Sequence, residues 1–179
     1  MSNYADYKPF NMVDGRGVRN SIYFSGCRFA CVGCYNKAAQ NFKYGHKFTQ
    51  DIIDTILEDT HHSYVRGMSV LGGEPFQNLD SVHSLITQFK EEFKDTKDIW
   101  MWTGYRIEEL IEMAKSDDRI DFILNRIDVL VDGRFVQPLF VRDLPFRGST
   151  NQRIIDIKET LKTGVIKLTD DNFTEEVNK

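Results

Sequence analysis

All three cysteines of the chain fall in one short stretch, Ser25-Gly26-Cys27-Arg28-Phe29-Ala30-Cys31-Val32-Gly33-Cys34-Tyr35-Asn36, with three residues between the first pair and two between the second. Thiolates this close along the chain can converge on one metal or one cluster, so any fold adopted by the sequence has to present them together. Iron–sulfur clusters are usually held by four cysteines. A four-iron cluster held by Cys27, Cys31 and Cys34 alone keeps one iron without a protein ligand. In zinc proteins an open metal position is what separates catalytic from structural sites. On spacing alone, a Cys3His zinc site completed by His46 also remains open, because it would satisfy a tetrahedral ion.

An odd number of cysteines argues against a disulfide framework, and clustered free thiols in a reducing compartment read as a metal or redox site. Met1 to Phe10 lacks the basic-then-apolar order of a signal peptide, and no apolar run is long enough to cross a bilayer. A cytoplasmic protein with no membrane partner is therefore expected. The 179 residues, 41% apolar and 28% charged, fit a single domain spanning the whole chain. The net charge of −4 comes with no basic stripe, so no nucleic-acid surface is indicated. From about residue 170 the acidic segment Asp170-Asp171 through Glu175-Glu176 is expected to be a mobile, solvated tail.

Periodicity places strands at Ser21 to Phe24, Gly67 to Leu71, Asp98 to Trp102 and Ile127 to Val131, with extra ones at Ile154 to Ile157 and Val165 to Leu168. Helices are expected from a Thr49 cap to about His62, from about Asp80 to Lys94, through Ile107, Leu110, Ile111 and Ala114, and around Phe122 to Asn125. His61, His62 and His83 sit on helical stretches and read as surface residues. This alternation implies an α/β fold, with a mostly parallel, curved sheet joined by right-handed crossovers and helices on its outer face. A full eight-stranded barrel needs about 250 residues, so an incomplete TIM-like barrel is expected.

The cysteine loop then leaves the C-terminal end of the first strand, where α/β folds place their sites. Gly72-Gly73-Glu74-Pro75 leaves the end of the next strand. Two glycines let a ligand touch the backbone, whose carbonyls and amides can hold an ammonium or a carboxylate; an ordinary strand-to-helix turn is the plainer reading. Thr103-Gly104-Tyr105 and Asp132-Gly133-Arg134 end two further strands and face the same rim. Asp14-Gly15-Arg16-Gly17 is weak as a phosphate signal and reads as a turn.

At these residues a family resemblance enters. Cys27, Cys31 and Cys34 match the C-x-x-x-C-x-x-C signature of the radical S-adenosylmethionine (SAM) enzymes. Cys34-Tyr35-Asn36-Lys37, Trp102-Thr103-Gly104-Tyr105 and Val131-Asp132-Gly133-Arg134-Phe135 resemble one branch, the activating enzymes of anaerobic ribonucleoside-triphosphate reductase. Arg147-Gly148-Ser149-Thr150-Asn151-Gln152-Arg153 resembles the C-terminal signature of that branch, with SAM or partner contact as its expected role and a plain polar loop as the alternative. The position before the third cysteine is often bulky across the superfamily; here it is Gly33, and Tyr35 follows instead, as this branch leads one to expect. Similar motifs occur in the pyruvate formate-lyase activating enzymes and the deazapurine-forming radical SAM enzymes.

The resemblance implies a partial barrel holding a [4Fe-4S] cluster on Cys27, Cys31 and Cys34. It implies SAM contacts from Gly33, Cys34, Tyr35, Gly72, Gly73, Glu74 and Thr103, with the Gly72-Gly73 segment receiving the methionine amino group. Tyr35 would lie beside the adenine, with core packing as the alternative. No catalytic residue beyond the cluster ligands is implied. An electron from a low-potential donor would cleave SAM to methionine and a 5′-deoxyadenosyl radical, which would take hydrogen from a glycine of the reductase's glycyl-radical subunit. A short open sheet has little wall to enclose a small molecule, which suits a protein substrate. A non-catalytic zinc interaction module is the rival of a different class.

Overall fold

The computed structural model describes residues 2–172. Eight strands form one sheet: β1 (Asn3–Asn11), β2 (Val18–Phe24), β3 (His46–Lys47), β4 (Val65–Gly72), β5 (Asp98–Trp102), β6 (Val129–Asp132), β7 (Arg153–Asp156) and β8 (Lys167–Leu168). The helices are α1 (Gln50–Thr60), α2 (Leu79–Phe93), α3 (Ile107–Ala114), α4 (Asp118–Leu124) and α5 (Ile157–Thr163). None of the described helices is long and apolar enough to cross a membrane.

The strand order is β3-β1-β2-β4-β5-β6-β7-β8, and the sheet is not closed. Strands β2, β4, β5 and β6 are parallel neighbours, while β1 and β3 on one flank and β7 and β8 on the other pair antiparallel. The expected α/β fold is found, with its parallel strands at the centre of a mixed sheet and antiparallel pairs on both flanks. From β2 to β6 the order advances in one direction, so right-handed crossovers lay each helix on the same face. Accordingly, buried residues of α1 to α5 join Ile22, Phe24, Met68, Val70, Ile99, Met101, Leu130 and Ile155 in one core cluster. Each fully buried aliphatic side chain there contributes about 1.5–3 kcal/mol.

Strand alternation sends the intervening residues to the opposite face. Trp100, Val131 and Ile154 form a small cluster of their own there. Beside them Arg19 is fully buried. Its Nε donates to Ser69 Oγ at 2.8 Å, one terminal nitrogen donates to Met68 O at 2.8 Å, and the guanidinium pairs with Asp98 at 2.5 Å. The turn between β1 and β2 folds beneath Trp100. Gly15 has φ +112°, and a Cβ there would stand 2.9 Å from the indole.

Several local expectations change. Thr49 sits at the N-cap of α1 but makes no side-chain cap bond. Ile157 does not end a strand; it opens α5, because the Asp156 carboxylate accepts from Glu159 N at 3.0 Å. His61 and His62 are exposed, whereas His83 is half-buried with its ring 4.2 Å from Phe122. Residues 170–172, placed at the start of a solvated tail, form a 3-10 turn. In that turn Asn172 Oδ1 accepts from Arg147 at 3.0 Å and from Ile154 N at 2.8 Å, and Asp171 pairs with Arg16 at 3.0 Å. The rest of the expected tail, residues 173–179, lies outside the described residues.

Candidate functional site

Because the central strands run parallel, their C-terminal ends share one rim. The cysteine loop leaves β2, Gly73-Glu74 leaves β4, Thr103-Gly104 leaves β5 and Gly133-Arg134 leaves β6. Together they line an open cleft of about 1170 Å³. The residues expected to hold the cluster and the cofactor all line it: Cys27, Cys31, Gly33, Cys34, Tyr35, Gly72, Gly73, Glu74 and Thr103, whereas Tyr105 does not.

The loops after β2 and β4 are joined backbone to backbone. Gly73 N donates to Phe24 O at 2.7 Å, Glu74 N to Gly26 O at 2.8 Å, and Gly26 N to Ala39 O at 2.7 Å. The Gly72-Gly73 pair is needed for this approach. Gly72 has φ +109°, and a Cβ on Gly73 would lie 2.6 Å from Gly26 O.

Glu74 is fully buried. Its carboxylate accepts from Phe76 N at 3.0 Å, Thr103 Oγ1 at 2.8 Å and Gly104 N at 2.7 Å. Burial outweighs these bonds and pushes its pKa up to about 7. The Thr103 hydroxyl also accepts from Tyr105 N at 3.1 Å. Both polar side chains are thus engaged within the protein and brace the loops after β4 and β5 against each other.

The thiols of Cys27, Cys31 and Cys34 are free and half-buried. Burial raises the pKa of Cys27 and of Cys31, and thiolate charge at the neighbouring cysteines raises both further. The loop after β6 packs over them. Gln137 fills the space where Gly33 would carry a Cβ, 2.9 Å away, and Arg134 lies with its guanidinium 4.3 Å over the Phe29 ring. The positive charge of Arg134 eases ionisation of Cys31. Among the described residues no three His, Cys, Asp or Glu side chains stand in a metal-holding arrangement. His46 lies on β3 with its ring 5.5 Å from Tyr4, and it is not among the residues of the cleft.

Tyr35 is fully exposed, so core packing is corrected: the residue stands on the rim of the cleft. Gly133, Arg134, Arg147, Gly148 and Gln152 also line the cleft, whereas Asp132 is buried and its carboxylate accepts from Ile107 N at 2.9 Å. Sequence reasoning missed the β1 side, where Ala5, Asp6, Lys8, Asp14 and Tyr23 form the opposite wall. A strand that carries Pro9 and four charged or amide side chains among its nine residues has little strand signal.

Residues 13–155 match the family described as a 4Fe-4S single cluster domain, which makes this an iron–sulfur protein of the single-cluster type. Three curated relatives carry the name anaerobic ribonucleoside-triphosphate reductase-activating protein. The one from Vibrio cholerae is 42% identical over 156 residues, 85% of this chain and 96% of its own length. The one from Escherichia coli K12 is 38% identical, covering 84% and 96% of the two chains, and that of Enterobacteria phage T4 is 33% identical, covering 85% and 92%. The chain belongs to the family of anaerobic ribonucleoside-triphosphate reductase-activating proteins.

Proposed function

We propose that this protein is a radical SAM activating enzyme. It reductively cleaves S-adenosylmethionine at a [4Fe-4S] cluster and generates a glycyl radical on anaerobic ribonucleoside-triphosphate reductase. The observation that carries this reading is the meeting of the three-thiol loop and the Gly72-Gly73 segment at one cleft, in a family whose members are named for activating that reductase.

The donor set suits a soft cluster. Cys27, Cys31 and Cys34 offer thiols, and the one buried carboxylate beside them, Glu74, is occupied by Phe76, Thr103 and Gly104. A zinc site would need a fourth donor, and His46 does not line the cleft. A cluster held there would supply low-potential electron transfer to the sulfonium, the chemistry by which SAM would be split into methionine and a 5′-deoxyadenosyl radical. The chain's own part is positioning. Its three thiolates, Cys27, Cys31 and Cys34, would hold the cluster. The amides of Gly73 and Glu74 are already bonded, so the carbonyls of the Gly72-Gly73 segment are what it offers to an ammonium. Tyr35, exposed on the rim, would lie beside the adenine.

The fold that accompanies this reading is an incomplete barrel, supported by the one-way strand order and the single helical face. The open cleft supports access by a glycine-bearing segment of the reductase, which would give up its α-hydrogen to the radical and yield 5′-deoxyadenosine. A reducing cytoplasm suits the free thiols.

The test is anaerobic reconstitution followed by incubation with SAM, a strong reductant and the reductase. About four iron and four sulfide per chain, 5′-deoxyadenosine and a glycyl radical signal on the reductase are expected. A colourless protein with one zinc, or a loaded protein that forms no 5′-deoxyadenosine, overturns the reading. A radical on pyruvate formate-lyase instead would reassign the partner.

A further inference from the structure

Pairing between β6 and β7 ends with Asp132 opposite Arg153. Gly133 then turns with φ +96° and gives its N–H to Tyr105 O at 2.9 Å, so the main chain leaves the sheet there. The antiparallel register nevertheless continues for two more residues, carried by side chains. Arg153 Nε donates to Asp132 Oδ1 at 2.9 Å, Gln152 Nε2 donates to Gly133 O at 3.0 Å, and Asn151 Nδ2 donates to Arg134 O at 2.8 Å. Residues 134–136 lie in neither helix nor strand, so these side-chain bonds take the place of a ladder.

The clasp is itself braced. Gln152 Oε1 accepts from Gly148 N at 2.9 Å and from Ser149 N at 3.1 Å, so both ends of its amide are bonded. A primary amide suits this place, because it donates to a carbonyl at one end and accepts N–H groups at the other. Ser149 is fully buried, and its hydroxyl accepts from Val136 N at 3.2 Å, which adds one more tie to the same loop. The loop so held lies against the cysteine loop at two points. Arg134 covers the Phe29 ring at 4.3 Å, and Gln137 stands 2.9 Å from where Gly33 would carry a Cβ. Those two contacts fall on either side of Cys31 along the chain.

We propose that Asn151 and Gln152 are positioning residues of the cluster site. Their side-chain amides keep the loop after β6 closed on the cysteine loop, and the closed loop limits solvent access to a cluster held by Cys27, Cys31 and Cys34. This rests on the cluster of the proposed function and goes beyond it, since it gives a task to two residues that touch neither cluster nor SAM. Outer groups that orient a metal site and keep water from it govern how well the metal is retained. Solvent exposure is also one of the levers on the potential of an iron–sulfur cluster.

The test follows anaerobic release of iron from the cluster-loaded protein to a chelator, alongside thermal melting and hydrogen exchange of residues 134–137. Gln152→Glu keeps an oxygen for the Gly148 and Ser149 amides and loses the donor to Gly133 O. Asn151→Ala, at a half-buried residue, keeps the test available should Gln152→Glu not fold. Thr160→Ala is the control, because it removes a buried hydrogen bond, from Lys167 N at 2.9 Å, away from the cleft. The expected result is iron release on the order of tenfold faster in both clasp variants, with faster exchange in the loop, and neither change in Thr160→Ala. Release that is unchanged in the clasp variants, or that follows melting temperature across all three proteins, overturns the assignment and leaves the enzymatic reading standing. Wild-type protein that takes up no cluster removes both.

Discussion

The Glu74 carboxylate and the Thr103 hydroxyl are joined by a 2.8 Å hydrogen bond that ties the loop after β4 to the loop after β5. The same carboxylate takes the amides of Phe76 and Gly104, so one buried side chain holds three backbone or side-chain donors around the floor of the cleft. It fixes the shape of the site without offering a free oxygen to it.

Burial leaves this carboxyl with a pKa of about 7 in the fold, above its ordinary 4.5. The folded protein therefore binds the proton more tightly than the unfolded chain. The stability that Glu74 contributes is fully present below about pH 4.5 and declines as pH rises towards about 7, by on the order of 3 kcal/mol. Urea denaturation of cluster-free protein should show this decline, and Glu74→Gln should flatten it. An unchanged slope in the variant would refute the role.

Single replacements of Cys27, Cys31 or Cys34 by alanine should abolish most iron uptake while leaving the fold intact, because the thiols are half-buried on the rim rather than in the core. Iron analysis alongside circular dichroism reads both effects. Near-full iron retention by any one variant would remove that cysteine from the ligand set.

Gly73→Ala should be harmful because its Cβ meets backbone on two sides, 2.6 Å from Gly26 O and 2.8 Å from Ala39 O. The loops would have to part, at a cost of about 1–3 kcal/mol and with reduced cluster uptake. Gly164→Ala is the control. Its φ of +68° is strained for alanine but nothing stands within 4 Å, so a loss of about 1 kcal/mol with normal iron content is expected. Thermal melting and iron assay distinguish the two.

Arg19 and Arg66 both pair with Asp98, at 2.5 Å and 3.0 Å, yet their substitution should differ greatly. The Arg19 side chain is wholly buried and that of Arg66 is 57% exposed. Arg19→Ala removes one member of a buried network and should cost about 3–5 kcal/mol. Arg66→Ala should cost less than about 1 kcal/mol. Chemical denaturation of the two variants tests the contrast.

The central strands were legible because strands covered on both faces read as apolar runs, as in Ile22-Tyr23-Phe24 and Val70-Leu71, and their ends were marked by cysteines and glycines. Strand β1 was not legible. It is half-exposed, carries Pro9, and its register with β2 breaks between Tyr4 and Asp6 and between Lys8 and Asn11. The start of α5 was available in the Asp156-Ile157-Lys158-Glu159 pattern, a helix-opening signal outweighed by the β-branched pair before it. In the site, spacing along the chain identified what lies on one loop. It could not bring Lys8, Tyr23 and Gln137 to the cysteines, since only the sheet order does that.

The 3-10 turn at Asp170–Asn172 reaches back to Arg16 near the start of the chain and to Arg147 on the cleft wall. One short turn thus fastens two segments that are far apart in sequence, the hairpin turn that carries Arg16 and the loop that carries Arg147, so loosening it would be felt in both.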